Sequence, residues 1–335
     1  MNRGMEMFDY KNISNKFIVF HSADTAQQLL YRCYVKQERE DAVQKSYTNC
    51  YPFLYYLEHG QNFYSTARHA PLSIKPVLLF YGMVQLLKAC LLTVDADYPE
   101  STSVLAHGVS TRKRKKQGYE FLDDEVKVQK NGLFTHFSEK MFHVKQTTGE
   151  KFRMITLMQR ICELHELFSI FNDKKILSIE VIHNSSRNCI AIPIEILDHY
   201  HMTLNRFIHY IKHEWHFLKA AFVKEEDRFI HIGIESPLQP IGCEPLMFHL
   251  NGTYRIPVKR EKIFTLPEVI AHYLLLYNLS MISRYETEWW SELLHSYPSN
   301  AYTLIVQFLS LTAEKVPLLL YEYLIQRLFP GSSHL

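Results

Sequence analysis

With 335 residues, 47% of them hydrophobic, the chain holds enough apolar material for one large domain or two to three smaller ones, which excludes a disordered polymer. A formal net charge of +2, with histidine neutral, provides no global field for nucleic acid or an anionic membrane, so any electrostatic site has to be local. Glycine (11) and proline (13) are scarce beside 21 Tyr and 21 Phe, which favours long helices over many tight hairpins.

The first 16 residues include Glu6 and Asp9 and have no apolar signal-peptide core. Ser22 is placed to cap a helix through about Lys36, with Ala26, Leu29, Leu30, Cys33 and Tyr34 on its apolar face. A second amphipathic segment spans residues 46–68, and Pro52 suggests that its regular part starts there. The third helix is expected to begin at Pro76 with Lys75 as N-cap. It runs to Val94, and its only polar side chains before Thr93 are Tyr81, Gln85 and Lys88, on one face at i, i+4 and i+7.

After a connection at residues 95–105 come His107-Gly108 and the basic run Arg112, Lys113, Arg114, Lys115, Lys116. Beyond residue 119 the pattern changes to alternation at residues 125–128. Asn131-Gly132 is a turn signal, with residues 133–137 expected to return as a strand. Further period-2 runs at 177–181, 190–194 and 230–234 predict a small sheet, interrupted by helices at 155–171 and 204–218. From Thr265-Leu266-Pro267-Glu268 onward the chain is helical, over 268–281, 286–294, 300–312 and 316–329. The fold class that follows is α+β and predominantly helical. Its terminal helical parts, 1–118 and 261–335, pack as one bundle, and 119–260 forms a mixed β/α middle region.

The two longest apolar runs are interrupted by Gln85 and Lys88 and by Glu314, Lys315 and Pro317, so both are expected in a core and no membrane is implied. The six cysteines are dispersed, without a C-x-x-C pair, as in a protein of the reducing cytoplasm.

Lys75 at a helix N-terminus sets a cation against the positive end of the helix dipole, a mismatch that an anion or carboxylate would relieve; the plain alternative is a solvated lysine. The run Arg112 to Lys116 fits an acidic partner or nucleic acid, although Asp123-Asp124-Glu125 offers local pairing and few aromatics are interleaved. His107, Gly108, Lys130 and Asn131 bracket the same loop, and Gly108 would admit a close backbone approach. Arg284 beside Trp289 and Trp290 fits either a stacked carboxylate site or a packed helix corner.

Five histidines between His199 and His216 lack the H-E-x-x-H spacing and an indicated third ligand, so no metal is expected. Phosphate-binding glycine loops and G-x-S-x-G are absent, so neither a cofactor nor a standard catalytic apparatus is expected. The Arg-x4-6-His element of HEPN-type RNA nucleases occurs at Arg160/His165, Arg206/His213 and Arg327/His334. About two matches are expected by chance from 15 Arg and 18 His, so the element carries little information.

Several of these stretches together resemble the bacterial YaaC-like family: Ser73-Ile74-Lys75-Pro76 with the helix to Met83, His107-Gly108, Arg112 to Lys116, and Lys130-Asn131-Gly132-Leu133-Phe134. Asn49-Cys50-Tyr51 and Tyr55-Tyr56-Leu57-Glu58-His59 extend the likeness upstream. The family supplies no catalytic residues to carry over, but its members are often encoded beside IMP dehydrogenase. The resemblance therefore implies a cytoplasmic, non-catalytic binding or regulatory protein with that enzyme as first candidate partner. The alternatives are a HEPN-like RNA-directed protein and a purine nucleotide-binding protein whose anionic ligand sits at Lys75.

Overall fold

The computed structural model describes residues 13–112, 119–171, 175–184, 188–215, 220–235, 238–296 and 299–329. In chain order the elements open with helices α1 (Ile13–Lys16), α2 (Ala23–Lys36), α3 (Ala42–His69) and α4 (Lys75–Leu92). Strands β1 (Val109–Ser110) and β2 (Glu125–Val128), helix α5 (Leu133–Phe142), strand β3 (Lys151–Arg153) and helices α6 (Met154–Gln159) and α7 (His165–Phe171) follow. Next are β4 (Ser178–Asn184), β5 (Cys189–Pro193), α8 (Ile196–Tyr200), α9 (Leu204–Glu214), β6 (Ala220–Glu226), β7 (Phe229–Ile234), β8 (Met247–Phe248) and β9 (Tyr254–Pro257). Helices α10 (Glu268–Tyr285), α11 (Thr287–Ser296) and α12 (Asn300–Leu328) complete the chain.

These elements divide into two compact units: Lys11–Met158 with Val269–His334, and one built on Gln159–Glu268. The first is the helical bundle, in which the helices that precede and follow the sheet unit in sequence share a core. Its centre is α4, where every residue from Leu79 to Leu92 except Tyr81, Gln85 and Lys88 is buried. That explains why so apolar a helix lies inside: each fully buried leucine contributes about 1.5–3 kcal/mol. Gly60 and Gly82 let α3 and α4 come together, because a Cβ on Gly60 would stand 2.6 Å from Leu86 and one on Gly82 would stand 2.9 Å from the Tyr64 ring. Tyr34 on α2 donates to the Leu92 carbonyl (2.8 Å), and Asn49 on α3 donates to both the Tyr34 hydroxyl and the Ala96 carbonyl (2.8 Å each). His272 on α10 and Thr312 on α12 form a buried pair at 2.8 Å. A three-stranded antiparallel sheet, β1-β2-β3, belongs to the same unit.

The second unit is a six-stranded antiparallel sheet of order β6-β7-β5-β4-β9-β8, accompanied by α7, α8 and α9. The alternating isoleucines Ile190, Ile192, Ile230 and Ile232 are fully buried, with Ile190 opposite Ile232 and Ile192 opposite Ile230.

Several expected boundaries are corrected. Residues 133–137 form the start of α5 and not a strand. Leu133, Phe134, Phe137, Ser138 and Met141 are the buried positions, a helical spacing that the apolar cluster alone did not distinguish from a strand. Helix α3 starts at Ala42 and continues through Pro52, and α12 is one helix through Pro317 where two were expected. The expected 155–171 helix is broken into α6, a 3-10 turn at Cys162–Leu164 and α7, because Ile161 is extended. Helix α9 ends at Glu214, and residues 216–218 of its expected span lie outside the described residues. Thr265 closes a 3-10 turn by donating to the Lys262 carbonyl (2.8 Å), and α10 begins after it and runs past Met281 to Tyr285.

Candidate functional site: a cationic aromatic face on the helical unit

Lys75 is the first residue of α4, one place inside the expected cap, which is Ile74. The shift arises because the chain enters α4 already coiled: the Ile74 and Lys75 amides both donate to the Pro71 carbonyl (3.1 Å each). The Lys75 ammonium meets no carboxylate among the described residues and lines none of the described clefts.

His107, Gly108, Asn131 and their neighbours meet in one backbone crossing. Leu133 and Phe134 donate to the carbonyls of Ala106 (2.7 Å) and His107 (3.1 Å), Gln129 donates to that of Gly108 (2.9 Å), and Tyr273 of α10 donates to the His107 carbonyl (2.8 Å). A Cβ on Gly132, whose φ is 140°, would lie 2.3 Å from the Gly108 backbone. Gly132 is therefore required by steric contact, and Gly108 by its left-handed backbone (φ 77°), with a Cβ there only 3.0 Å from the Phe134 amide nitrogen. Lys130 and Asn131 are exposed beside the crossing, and Arg112 is exposed at the entrance to the basic run. Lys113, Arg114, Lys115 and Lys116 lie outside the described residues.

Next to Arg112 is a cleft of about 390 Å³ lined by Tyr119, Asp123, Asp124, Glu125, Lys127 and Lys151, among others. Three of its four acids are engaged locally, Glu120 being the fourth. Glu125 accepts from Lys151 (2.8 Å), Asp123 pairs with Arg153, and Asp124 accepts from Tyr119 (2.8 Å) and from Asn278 of α10 (2.9 Å). An acidic, internally paired wall is a poor cradle for an anion.

Cations converge instead on the polar face of α4. Tyr81, Gln85 and Lys88 are its half-exposed positions, and His107 is half-buried beside Tyr81. The imidazole packs 5.0 Å from the Phe80 ring, 6.1 Å from Tyr81 and 5.7 Å from Tyr277. Among the described residues neither of its nitrogens has a hydrogen-bond partner in the protein. Lys88 is held over the Tyr56 ring at 5.5 Å. Arg284, near the end of α10, lies 5.9 Å from the Tyr81 ring and donates to the Ser280 carbonyl (2.9 Å). Neither cation has a carboxylate within ion-pair distance among the described residues. Burial lowers the His107 pKa first, and the positive charges of Arg284 and then Lys88 lower it further, so both cations act on one imidazole that stays neutral at pH 7. Burial likewise lowers the Lys88 pKa.

Sequence reasoning had all the parts separately: the Tyr81/Gln85/Lys88 face, His107, and Arg284 at a helix junction. It placed weight on Lys75 and the basic run because those signals are contiguous, whereas Arg284 is remote in sequence and only the bundle brings it to α4. Trp290 beside it is a packed corner, 1% exposed, with its indole donating to the Ser73 carbonyl (3.2 Å).

In the sheet unit, Arg160 is buried, donates through Nε to the Leu266 carbonyl (2.9 Å) and pairs with Glu244 and Glu268 at 3.7 and 3.6 Å. His165, also buried, bonds through Nε2 to the Gln159 carbonyl (2.7 Å) and through Nδ1 to Ser178 Oγ (2.7 Å). A carbonyl only accepts, so Nε2 carries the proton and Nδ1 accepts from the serine hydroxyl. Arg206 is exposed on α9, where the rings of His209 and His213 stack at 6.3 Å, while His216 and His334 lie outside the described residues. No group of three or more metal-ligating side chains occurs among the described residues. Helices α4 and α12 are long and apolar enough to cross a membrane, yet two thirds of the qualifying window in each is buried inside the structure.

Fold and site together define an α+β protein, mostly helical, with a half-buried cationic and aromatic face and no described metal centre. The chain matches the family model of the YaaC-like Protein over residues 18–324 and belongs to the YaaC-like family. No curated protein and no solved structure matches it.

Proposed function

We propose that the protein is a non-catalytic binding protein that holds an anionic ligand, a phosphate or carboxylate group, between Lys88, His107 and Arg284. The observation that carries this reading is a pair of half-buried cations, without counter-ions among the described residues, whose positive charges both act on one imidazole that makes no hydrogen bond among those residues. Partial burial of like charges without a counter-ion is unfavourable, and an anion converts that cost into affinity. Tyr56, Tyr81 and Tyr277 supply the ring surfaces around it. A regulatory role through a protein partner, with IMP dehydrogenase tried first, is the wider form of the same proposal: the site would report ligand level to that partner.

Calorimetric titration with inorganic phosphate, pyrophosphate and citrate tests it. Lys88→Met and Arg284→Met are each expected to weaken the tightest of these at least about tenfold, whereas Lys75→Met leaves it unchanged. Heat of binding absent for all three anions, or binding that survives both substitutions, would sink the reading.

A further inference from the structure

One face of α3 is unlike the solvated face of an ordinary surface helix. Val43, Tyr47, Tyr51 and Tyr55 follow one another at i, i+4 spacing and are 57%, 65%, 57% and 58% exposed. The Tyr51 and Tyr55 rings lie side by side, 6.1 Å between centroids. Between Asp41 and Glu58 the only charged residue is Lys45, and its ammonium is taken by Asp97 at 2.6 Å. The other fully exposed positions there are Gln44 and Thr48, both neutral. The result is an aromatic ridge several turns long with no unpaired charge, on a chain where tyrosines elsewhere are largely packed.

We infer that this ridge is the contact surface of a homodimer formed by two α3 helices packed antiparallel about a two-fold axis. Charge decides among the possible occupants. Nucleic acid or an anionic membrane requires cations, and a charged peptide requires opposite charges; this ridge has neither. A neutral aromatic ridge is complemented by another, and a second copy presents one at equal concentration in the self-complementary form that a two-fold demands. Antiparallel pairing sets Tyr47 against Tyr51 of the second copy and Val43 against Tyr55.

Area sets the strength. Tyrosines that bury about 150–250 Å² each when fully covered, here roughly 60% exposed, provide about 300–450 Å² per copy. Two copies then bury about 600–900 Å² through these rings, and with Val43, Gln44 and Thr48 the total approaches the roughly 1,200 Å² at the lower end of specific interfaces. The dimer is accordingly weak, dissociating in the micromolar range. This inference is independent of the anion site.

Sedimentation velocity of the full chain over a hundredfold range around about 10 µM is the direct test. The wild type is expected to pass from monomer to dimer. Tyr51→Glu, which brings a carboxylate close to its two-fold mate, is expected to raise the dissociation constant at least about tenfold with the circular dichroism spectrum and melting temperature unchanged. Because the ridge faces solvent in the monomer, Tyr47→Phe serves as a folding-neutral control that keeps the dimer. Mixing Tyr47→Cys with Tyr51→Cys should give an oxidised heterodimer faster than either variant forms its own. A chain monomeric throughout the range, a dimer indifferent to Tyr51→Glu, or a monomer that cosediments with phosphatidylcholine vesicles would overturn the inference, the last in favour of a neutral lipid surface.

Discussion

His165 shows how one buried side chain can govern acid stability. Its imidazole is driven down to about 4 chiefly by burial, while the Gln159 carbonyl opposes that shift; Arg255 lowers the pKa further, and Glu163 and Glu268 raise it. In the unfolded chain it titrates near 6.5. Above that pH both states are neutral and the group is silent. Between about 6.5 and 4 the unfolded chain binds a proton that the folded chain does not, so stability falls on acidification, by on the order of 3 kcal/mol across the window. Glu322 acts in the opposite sense. Burial raises it from 4.5 to about 6, so the folded chain holds a proton there that the unfolded chain has released, and stability falls as pH rises through that interval. The two effects overlap, and a difference measurement separates them. Urea unfolding of wild type and His165→Gln between pH 4.5 and 7.5 should show a shallower acid loss in the variant, whatever its offset at pH 7. Parallel curves would mean that the histidine is not held neutral by its surroundings.

At the scale of elements, the legible parts of the chain are those with an undisturbed period and a cap. Ser22 accepts from the Thr25 amide at 3.5 Å and α2 ends at Lys36, as its apolar spacing indicates. The half-exposed Tyr81, Gln85 and Lys88 of α4 were likewise visible in the pattern. Proline misled where the helix leaves the freed carbonyl in water: Pro52 cannot donate to the carbonyl of Thr48, and Thr48 is exposed, so the lost bond is replaced by solvent and α3 continues. The 131–137 stretch misled for a different reason. Asn131-Gly132 has the composition of a hairpin turn, but the glycine serves a backbone crossing with Gly108, a long-range constraint that no local pattern encodes. That constraint gives a sharp expectation. Gly132→Ala has to move the Gly108 backbone by about an ångström and adopt an unfavourable φ, and should cost about 3 kcal/mol or more in chemical denaturation. Asn131→Ala, one residue away and exposed, should cost less than about 0.5 kcal/mol. Similar losses for both would contradict the close approach.

For the whole molecule, the division into a bundle assembled from the helices before and after the sheet unit means that the proposed anion site belongs to one unit alone: Tyr56, Tyr81, Lys88, His107, Tyr277 and Arg284 all lie in the bundle. No sequence window could contain that set of residues, because α4 and α10 are separated in sequence by the entire sheet unit and Lys88 and Arg284 come to act on one imidazole only once these helices have packed. The same division predicts where a ligand will be felt. A ligand at about 100 times its dissociation constant stabilises the state that binds it by about 2.7 kcal/mol, which slows amide exchange up to about a hundredfold wherever exchange requires that state to open. Hydrogen exchange with the tightest of phosphate, pyrophosphate and citrate should therefore slow in α4 and in the last turns of α10. If the two units open separately, β4, β5 and β7 keep their rates; if they open together, those strands slow by the same factor as the bundle. Either pattern is compatible with a site between Lys88 and Arg284. Slowing confined to the sheet strands, or present in α4 but unaltered by Lys88→Met, would place the anion elsewhere.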